Sequence, residues 1–171
     1  MTTEYLLNRE LEHVLAALTP TNELVARVCL HTGLRVSDVL ALRSDQLRRR
    51  FTVVESKTGK RRTVTLPDVL LRRLQAESGE KYVFEGRYGP DTHRTRQAVY
   101  ADIKRAARAF RLPQNVGTHS LRKVYAVELL RKYGDIDKVR RALNHGSLAV
   151  TSIYAMSDRL LEAKRAARRR K

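Results

Sequence analysis

The 171-residue sequence predicts an α+β domain, mainly helical, with one small antiparallel β-hairpin. Three observations predict it. Apolar residues recur at three- and four-residue spacing over most of the chain. Two β-branched runs flank a single glycine-containing turn between residues 51 and 66. Breakers fall between the periodic stretches, at Gly33, Gly59, Pro67, Pro113, Gly117, Gly134 and Gly146. The length suits one domain, read as residues 1–158 followed by a basic, potentially helical tail at 159–171.

Each element follows in order. Leu7, Leu11, Val14, Leu15 and Leu18 mark a helix over residues 4–17. Thr19-Pro20 restarts the chain, because proline suits a first helical turn, and a second helix runs to about His31, stopped by Gly33. A short third helix covers about Val36 to Leu42. The period then changes to two. Phe51–Glu55 and Arg62–Leu66 flank Ser56–Lys60, a hairpin with its tip at Lys57–Lys60. Pro67-Asp68 opens a helix to about Ala76, Tyr82–Phe84 is a short strand, and Gly86–Thr92 is a loop. Helices follow at about 94–110, 120–133, 135–143 and 147–156.

Composition narrows the partner. Lys and Arg number 35 against 18 Asp and Glu, a formal net charge of +17, while 42% of residues are hydrophobic. That core content excludes a disordered chain, and no window approaches the ~18 apolar residues of a membrane span. The start has no basic stretch and apolar run of a signal peptide. An intracellular, cytoplasmic protein is expected. Excess positive charge favours a polyanion, because each phosphate neutralised releases condensed counterions. The 26 arginines outnumber nine lysines, and the guanidinium fork grips phosphate oxygens bidentately. The single Cys29 lies in an apolar run and reads as a buried small side chain. It excludes a disulfide scaffold and a cysteine zinc site, and no metal or cofactor is expected. With 6% aromatic residues and no Trp, no stacking platform for RNA is visible.

Four segments hold the chemistry. Thr32-Gly33-Leu34-Arg35-Val36-Ser37-Asp38 places Arg35 and Asp38 three apart, on one face if helical, where the carboxylate would hold the guanidinium. Lys57 sits at the hairpin tip, where an amine can reach into a groove. Thr118-His119-Ser120-Leu121-Arg122 puts His119 and Arg122 on one face at a helix start, which favours anions. Leu143-Asn144-His145 precedes Tyr154 by a short interval. Together these are the groups that phosphodiester transfer without a metal requires. Arginines clamp the non-bridging oxygens, a phenol attacks, a histidine takes or shares a proton, and a lysine protonates the leaving oxygen.

From about Leu24 to Ala155 the chain resembles the tyrosine recombinases of the phage-integrase family. T-G-L-R-x-S-D-x-L-x-L looks like the first-arginine box, Lys57 like the hairpin lysine, and His119-Ser120-Leu121-Arg122 like the H-x-L-R box. Leu143-Asn144-His145 resembles an L-G-H box with Asn144 where glycine is usual, and Tyr154 stands at the nucleophile's spacing. The resemblance implies the recombinase catalytic-domain fold and cleavage of double-stranded DNA through a 3′-phosphotyrosine, without metal or ATP. It implies catalytic roles for Arg35, Asp38, Lys57, His119, Arg122, His145 and Tyr154. Lys60, Arg61, Arg94, Arg96, Lys104, Arg105 and Arg108 are the candidate DNA contacts. About 20 residues precede the matching segment, where family members carry an N-terminal core-binding domain. An isolated catalytic domain, or a minimal member like the short fimbrial-switch recombinases, is therefore expected. The segment from Asp158 to Lys171, with Leu160 and Leu161, would either join copies on DNA or touch phosphates. The location implied is the nucleoid of a prokaryote or phage host. Competing readings are a non-catalytic DNA-binding relic, a type IB topoisomerase and a basic RNA-binding protein.

Overall fold

The structure, a computed structural model, describes residues 6, 8–113 and 115–144. Helix α1 (Asn8–Ala17) buries Leu11, Val14 and Leu15 along one stripe. Helix α2 (Pro20–Thr32) begins on proline and buries Leu24, Val25, Ala26, Val28 and Cys29, more than one face's worth. That breadth fits its place at the centre, packed on α1 and on the helices at Val36–Leu40, Asp68–Glu77, Arg96–Ala109 and Thr118–Tyr133. Burial pushes the Cys29 thiol up to about 12, so it behaves as a small apolar side chain. Gly33 ends α2 at φ 65°, and its N–H donates to the Cys29 carbonyl at 2.8 Å.

Helix α3 (Val36–Leu40) is shorter than expected, because the Leu42 carbonyl accepts from Val83 N at 2.9 Å instead of continuing the helix. One 3-10 turn at Ser44–Gln46 leads to the hairpin β1 (Arg50–Val54) and β2 (Arg61–Thr65). Phe51 pairs with Val64 and Val53 with Arg62; Phe51, Val53 and Val64 face inward, and Thr52, Val54 and Thr63 face out. Helix α4 (Asp68–Glu77) covers the core with Leu70 and Leu74. A second two-stranded sheet follows, β3 (Glu85–Gly86) with β4 (Gly89–His93). It occupies the expected loop, while Tyr82 makes only an isolated bridge to Arg43 and Val83 and Phe84 turn into the core. The molecule thus has two small sheets among its described residues, not one.

Helices α5 (Arg96–Ala109), α6 (Thr118–Tyr133) and α7 (Ile136–Ala142) complete the described chain. Thr95 caps α5 by accepting from Ala98 N at 3.1 Å, and Asp135 caps α7 by accepting from Asp137 N and Lys138 N. The expected helix at 147–156 and the tail lie outside the described residues. Asp102, on α5, ties that helix to the α1–α2 junction. Its Oδ2 accepts from Thr19 N, Thr19 Oγ1 and Asn22 Nδ2 at 2.9, 2.9 and 2.7 Å. Among the described residues, no helix is long and apolar enough to cross a membrane.

Candidate active site

The site gathers where α2 ends, α3 and α6 begin, and the hairpin tip turns back. Arg35 is the residue before α3, with extended backbone at φ −70° and ψ 148°. It therefore does not share a helical face with Asp38, and the expected pairing of the two does not form. Arg35 Nη1 donates instead to Glu55 Oε2 at 2.5 Å. Asp38 is buried and turns to the hairpin, where its Oδ1 accepts from Ser56 N at 2.9 Å and Ser56 Oγ at 2.6 Å. Sequence reading missed Glu55, although the signal was present. With Phe51 and Val53 it continues the inward-facing positions of the strand, an expensive place for a lone carboxylate.

Lys57 follows Ser56 at the exposed tip. The turn is shaped by Thr58 N and Gly59 N, both donating to the Glu55 carbonyl, with Gly59 at φ 65°. Lys57 is thus bracketed by two residues fixed on carboxylate contacts, Ser56 on Asp38 and Thr58 on Glu55.

His119 and Arg122 lie in the first turns of α6, as their spacing implied. The capping geometry is local, with Gly117 N donating to Ser120 Oγ at 3.2 Å. Arg122 is almost wholly buried; it donates to the Gly33 carbonyl and, through Nη2 at 2.6 Å, to the Leu143 carbonyl. Partial burial, then the charges of Arg122, Arg35, Lys57 and Lys123, push the His119 imidazole below its ordinary pKa. Arg35, Lys57 and Arg122, from three different elements, thus lie near enough to His119 to act on its charge. Asn144, after α7, adopts φ 56°, the left-handed region that asparagine tolerates better than most residues. His145 and Tyr154 lie outside the described residues.

Beside His119 a cleft of about 310 Å³ is lined by Arg96, Gln97, Tyr100 and Thr118. Of the other basic candidates, Lys60, Arg61 and Arg108 are exposed. Lys104 bonds Asn115 Oδ1 at 2.5 Å and stands 5.5 Å from the centre of the Tyr100 ring. Arg94 and Arg105 are engaged within the protein. Arg94 Nε donates to Asn22 Oδ1 at 2.6 Å, and Arg105 holds Asp102 and the Ala17 carbonyl. A second cleft of about 330 Å³, between α2 and α4, is lined by Arg27, Leu30, His31, Pro67, Val69, Leu70 and Arg73. It contains none of the residues gathered above.

Comparison with known proteins places this arrangement. The model of the phage integrase family matches residues 4–160. The integrase of Escherichia phage P2 is 30% identical over 154 residues, covering 90% of this chain and 43% of that protein. A tyrosine recombinase of Thermosipho africanus (strain TCF52B) is 29% identical over 162 residues, covering 88% of this chain and 56% of that one. This chain therefore spans about half the length of these curated relatives. Among solved structures, the catalytic domain of bacteriophage HP1 integrase superposes with a TM-score of 0.70 at 24% identity, over 91% of this chain and 89% of that one. A lambda integrase dimer bound to a COC′ core site gives 0.76 at 19% identity, over 90% and 48%. The shared fold is the recombinase catalytic-domain fold.

Proposed function

The chain belongs to the phage integrase family, and from that membership we propose that it is a site-specific DNA recombinase acting through a 3′-phosphotyrosine. The observation that carries the reading is that Arg35, Lys57 and Arg122, from segments far apart in sequence, all lie close enough to the His119 imidazole to lower its pKa. In the proposed reaction, the Tyr154 oxygen attacks a scissile phosphorus and the bond to the 5′-oxygen breaks. Lys57 supplies the proton that the departing 5′-hydroxyl takes up. Arg35, Arg122 and His145 offset the charge that develops on the non-bridging oxygens. His119 accepts the phenolic proton or donates a hydrogen bond, and Asp38 supports Lys57 by anchoring Ser56. Return of a 5′-hydroxyl, from the same or another strand, reverses each step, so the bond's energy is kept in the phosphotyrosine and no ATP is consumed.

The proposed partner is double-stranded DNA. Arg96 beside His119, with Lys60, Arg61 and Arg108 exposed, supplies contacts to its backbone. Lys104, Arg94 and Arg105 contribute positive potential from positions already held by protein contacts. Residues 1–158 form the catalytic unit in this reading, and 159–171 join copies on DNA or touch phosphates. The cytoplasm of a prokaryotic or phage-infected cell, at the nucleoid, is the proposed place of action.

Nicked suicide duplexes drawn from the attachment region test it. Wild-type protein should form a covalent adduct, EDTA should not change its yield, and Tyr154→Phe should abolish it while binding stays within about twofold. An adduct formed by Tyr154→Phe would overturn the assignment, and loss of cleavage in EDTA would point to a metal nuclease.

A further inference from the structure

Glu55 has no role in the chemistry just proposed, yet it is fully buried. Its Oε2 accepts from Arg35 Nη1 at 2.5 Å and from Thr58 Oγ1 at 3.3 Å. Its Oε1 has no hydrogen bond and faces Arg62 Nη1 at 3.8 Å, a nitrogen that is itself buried and without one. Arg62 is anchored from the other side by the Thr32 carbonyl. A single negative charge therefore lies between two guanidinium groups, and the trio keeps one net positive charge.

Burying a carboxylate is costly unless partners compensate. What the site obtains in return is geometry. Arg35 precedes α3 in extended backbone, and the carboxylate near it in sequence, Asp38, turns its Oδ1 to Ser56 and makes no hydrogen bond through its buried Oδ2. We infer that Glu55 is the positioning residue of Arg35: it holds one edge of the guanidinium in a fixed rotamer and leaves the remaining N–H groups for a phosphate oxygen. Arg62, from behind, holds Glu55. The Glu55 backbone also starts the turn that carries Lys57, since its N–H donates to the Lys60 carbonyl at 3.0 Å. One residue thus sets both the phosphate clamp and the base of the lysine tip.

This inference rests on the proposed role of Arg35, so its test separates the two. Glu55→Gln preserves shape and removes charge; Glu55→Asp preserves charge and shortens the reach. With saturating nicked duplex, Glu55→Gln should cleave about 10- to 100-fold more slowly, with binding within about twofold. Glu55→Asp should recover part of that rate. In an Arg35→Ala background, Glu55→Gln should cost less than about twofold more, because the positioned group is already gone. Wild-type cleavage with an unimpaired Glu55→Gln, or losses that multiply in full, would overturn the inference and leave the recombinase reading intact. A wild type that forms no adduct would overturn the recombinase reading. Side-chain 15N spectra of the wild type decide about Glu55 in either case. A pinned Arg35 gives resolved, slowly rotating Nη–H signals, identified by their loss in Arg35→Lys; averaged signals would overturn the inference even if Glu55→Gln failed to fold.

Discussion

The Arg122 guanidinium donates to the Gly33 carbonyl, 89 positions earlier in the chain. Gly33 lies two residues before Arg35, and the second carbonyl held by Arg122, that of Leu143, lies one residue before Asn144. One buried side chain on α6 therefore joins the end of α2 to the end of α7. Its planar fork makes this arrangement possible, because its separate N–H donors serve two backbone carbonyls at once.

Removing Arg122 should harm both stability and chemistry, and the two losses can be told apart. Arg122→Ala leaves two buried carbonyls short of a donor, at ~1–3 kcal/mol each. Urea unfolding should show a loss of about 2–4 kcal/mol. Arg122→Lys can serve one carbonyl and should regain part of that loss, while cleavage stays at least about 100-fold down because the bidentate grip is gone. DNA binding should fall far less than cleavage. Equal losses in binding and cleavage would make Arg122 a simple phosphate anchor.

Gly33→Ala should be among the most damaging small substitutions. The residue sits at φ 65°, and an added Cβ would fall on the Tyr125 ring. Left-handed strain of about 1 kcal/mol adds to ~1–3 kcal/mol of overpacking. Thermal or urea unfolding checks the sum. Gly134→Ala, at the same φ but with open space where its Cβ would go, should show only the strain.

These two positions also show what the sequence made legible. Gly33 was readable as a helix stop, and the H-x-L-R spacing put His119 and Arg122 correctly on one helical start. Arg35 and Asp38 were misread because a three-residue spacing is informative only inside a helix, and Arg35 stands just outside one. Strand alternation could have exposed Glu55, since it follows Phe51 and Val53 on the inward face. The β3–β4 pair was illegible because two residues, Glu85 and Gly86, carry no alternation to detect. Charge alone makes Arg105 a candidate DNA contact, and the same sequence offers it an internal partner in Asp102, three residues earlier, which the structure shows engaged.

The Asp102 joint predicts a specific acid limb. Burial by itself would raise the carboxyl's pKa, but hydrogen bonds from Asn22, Thr19 and Arg105 together outweigh it and bring the value to about 2, from 3.8. A pKa depressed in the folded state stabilises the protein above the unfolded value, and that contribution is lost as pH falls through the folded one. Stability should therefore drop by about 2 kcal/mol between about pH 4 and pH 2 on this account. Asp102→Asn should be less stable at pH 7 and show a flatter decline over that window. An unchanged acid limb in Asp102→Asn would remove the joint from the explanation.

His119 predicts a kinetic limb displaced to the acid side of its usual place. Burial and the surrounding cations lower its pKa from 6.5, so the free protein holds it neutral at pH 7, ready to accept a proton. Cleavage under subsaturating DNA should lose rate only below about pH 6.5, as the imidazole protonates. His119→Gln should be slower and lack that limb. A limb centred above pH 7 would mean that bound phosphate, or another group, controls the titration.

Asp38 predicts a defect that chemistry can repair. Its carboxylate holds Ser56, the residue before Lys57, through two hydrogen bonds to one oxygen. Losing that anchor frees the tip, and leaving-group protonation should slow while the phosphate clamp stays in place. A duplex with sulfur in the 5′-bridging position isolates the difference, because a thiolate departs without a proton far more readily than an alkoxide. Asp38→Ala and Lys57→Ala should each cleave the oxygen substrate at least about tenfold slowly and approach wild type on the sulfur substrate. Arg122→Lys should remain slow on both. Asp38→Asn, which keeps an acceptor oxygen for Ser56, should be the milder variant. If the Asp38→Ala deficit is the same on both substrates, Asp38 acts on the phosphate clamp rather than on the lysine.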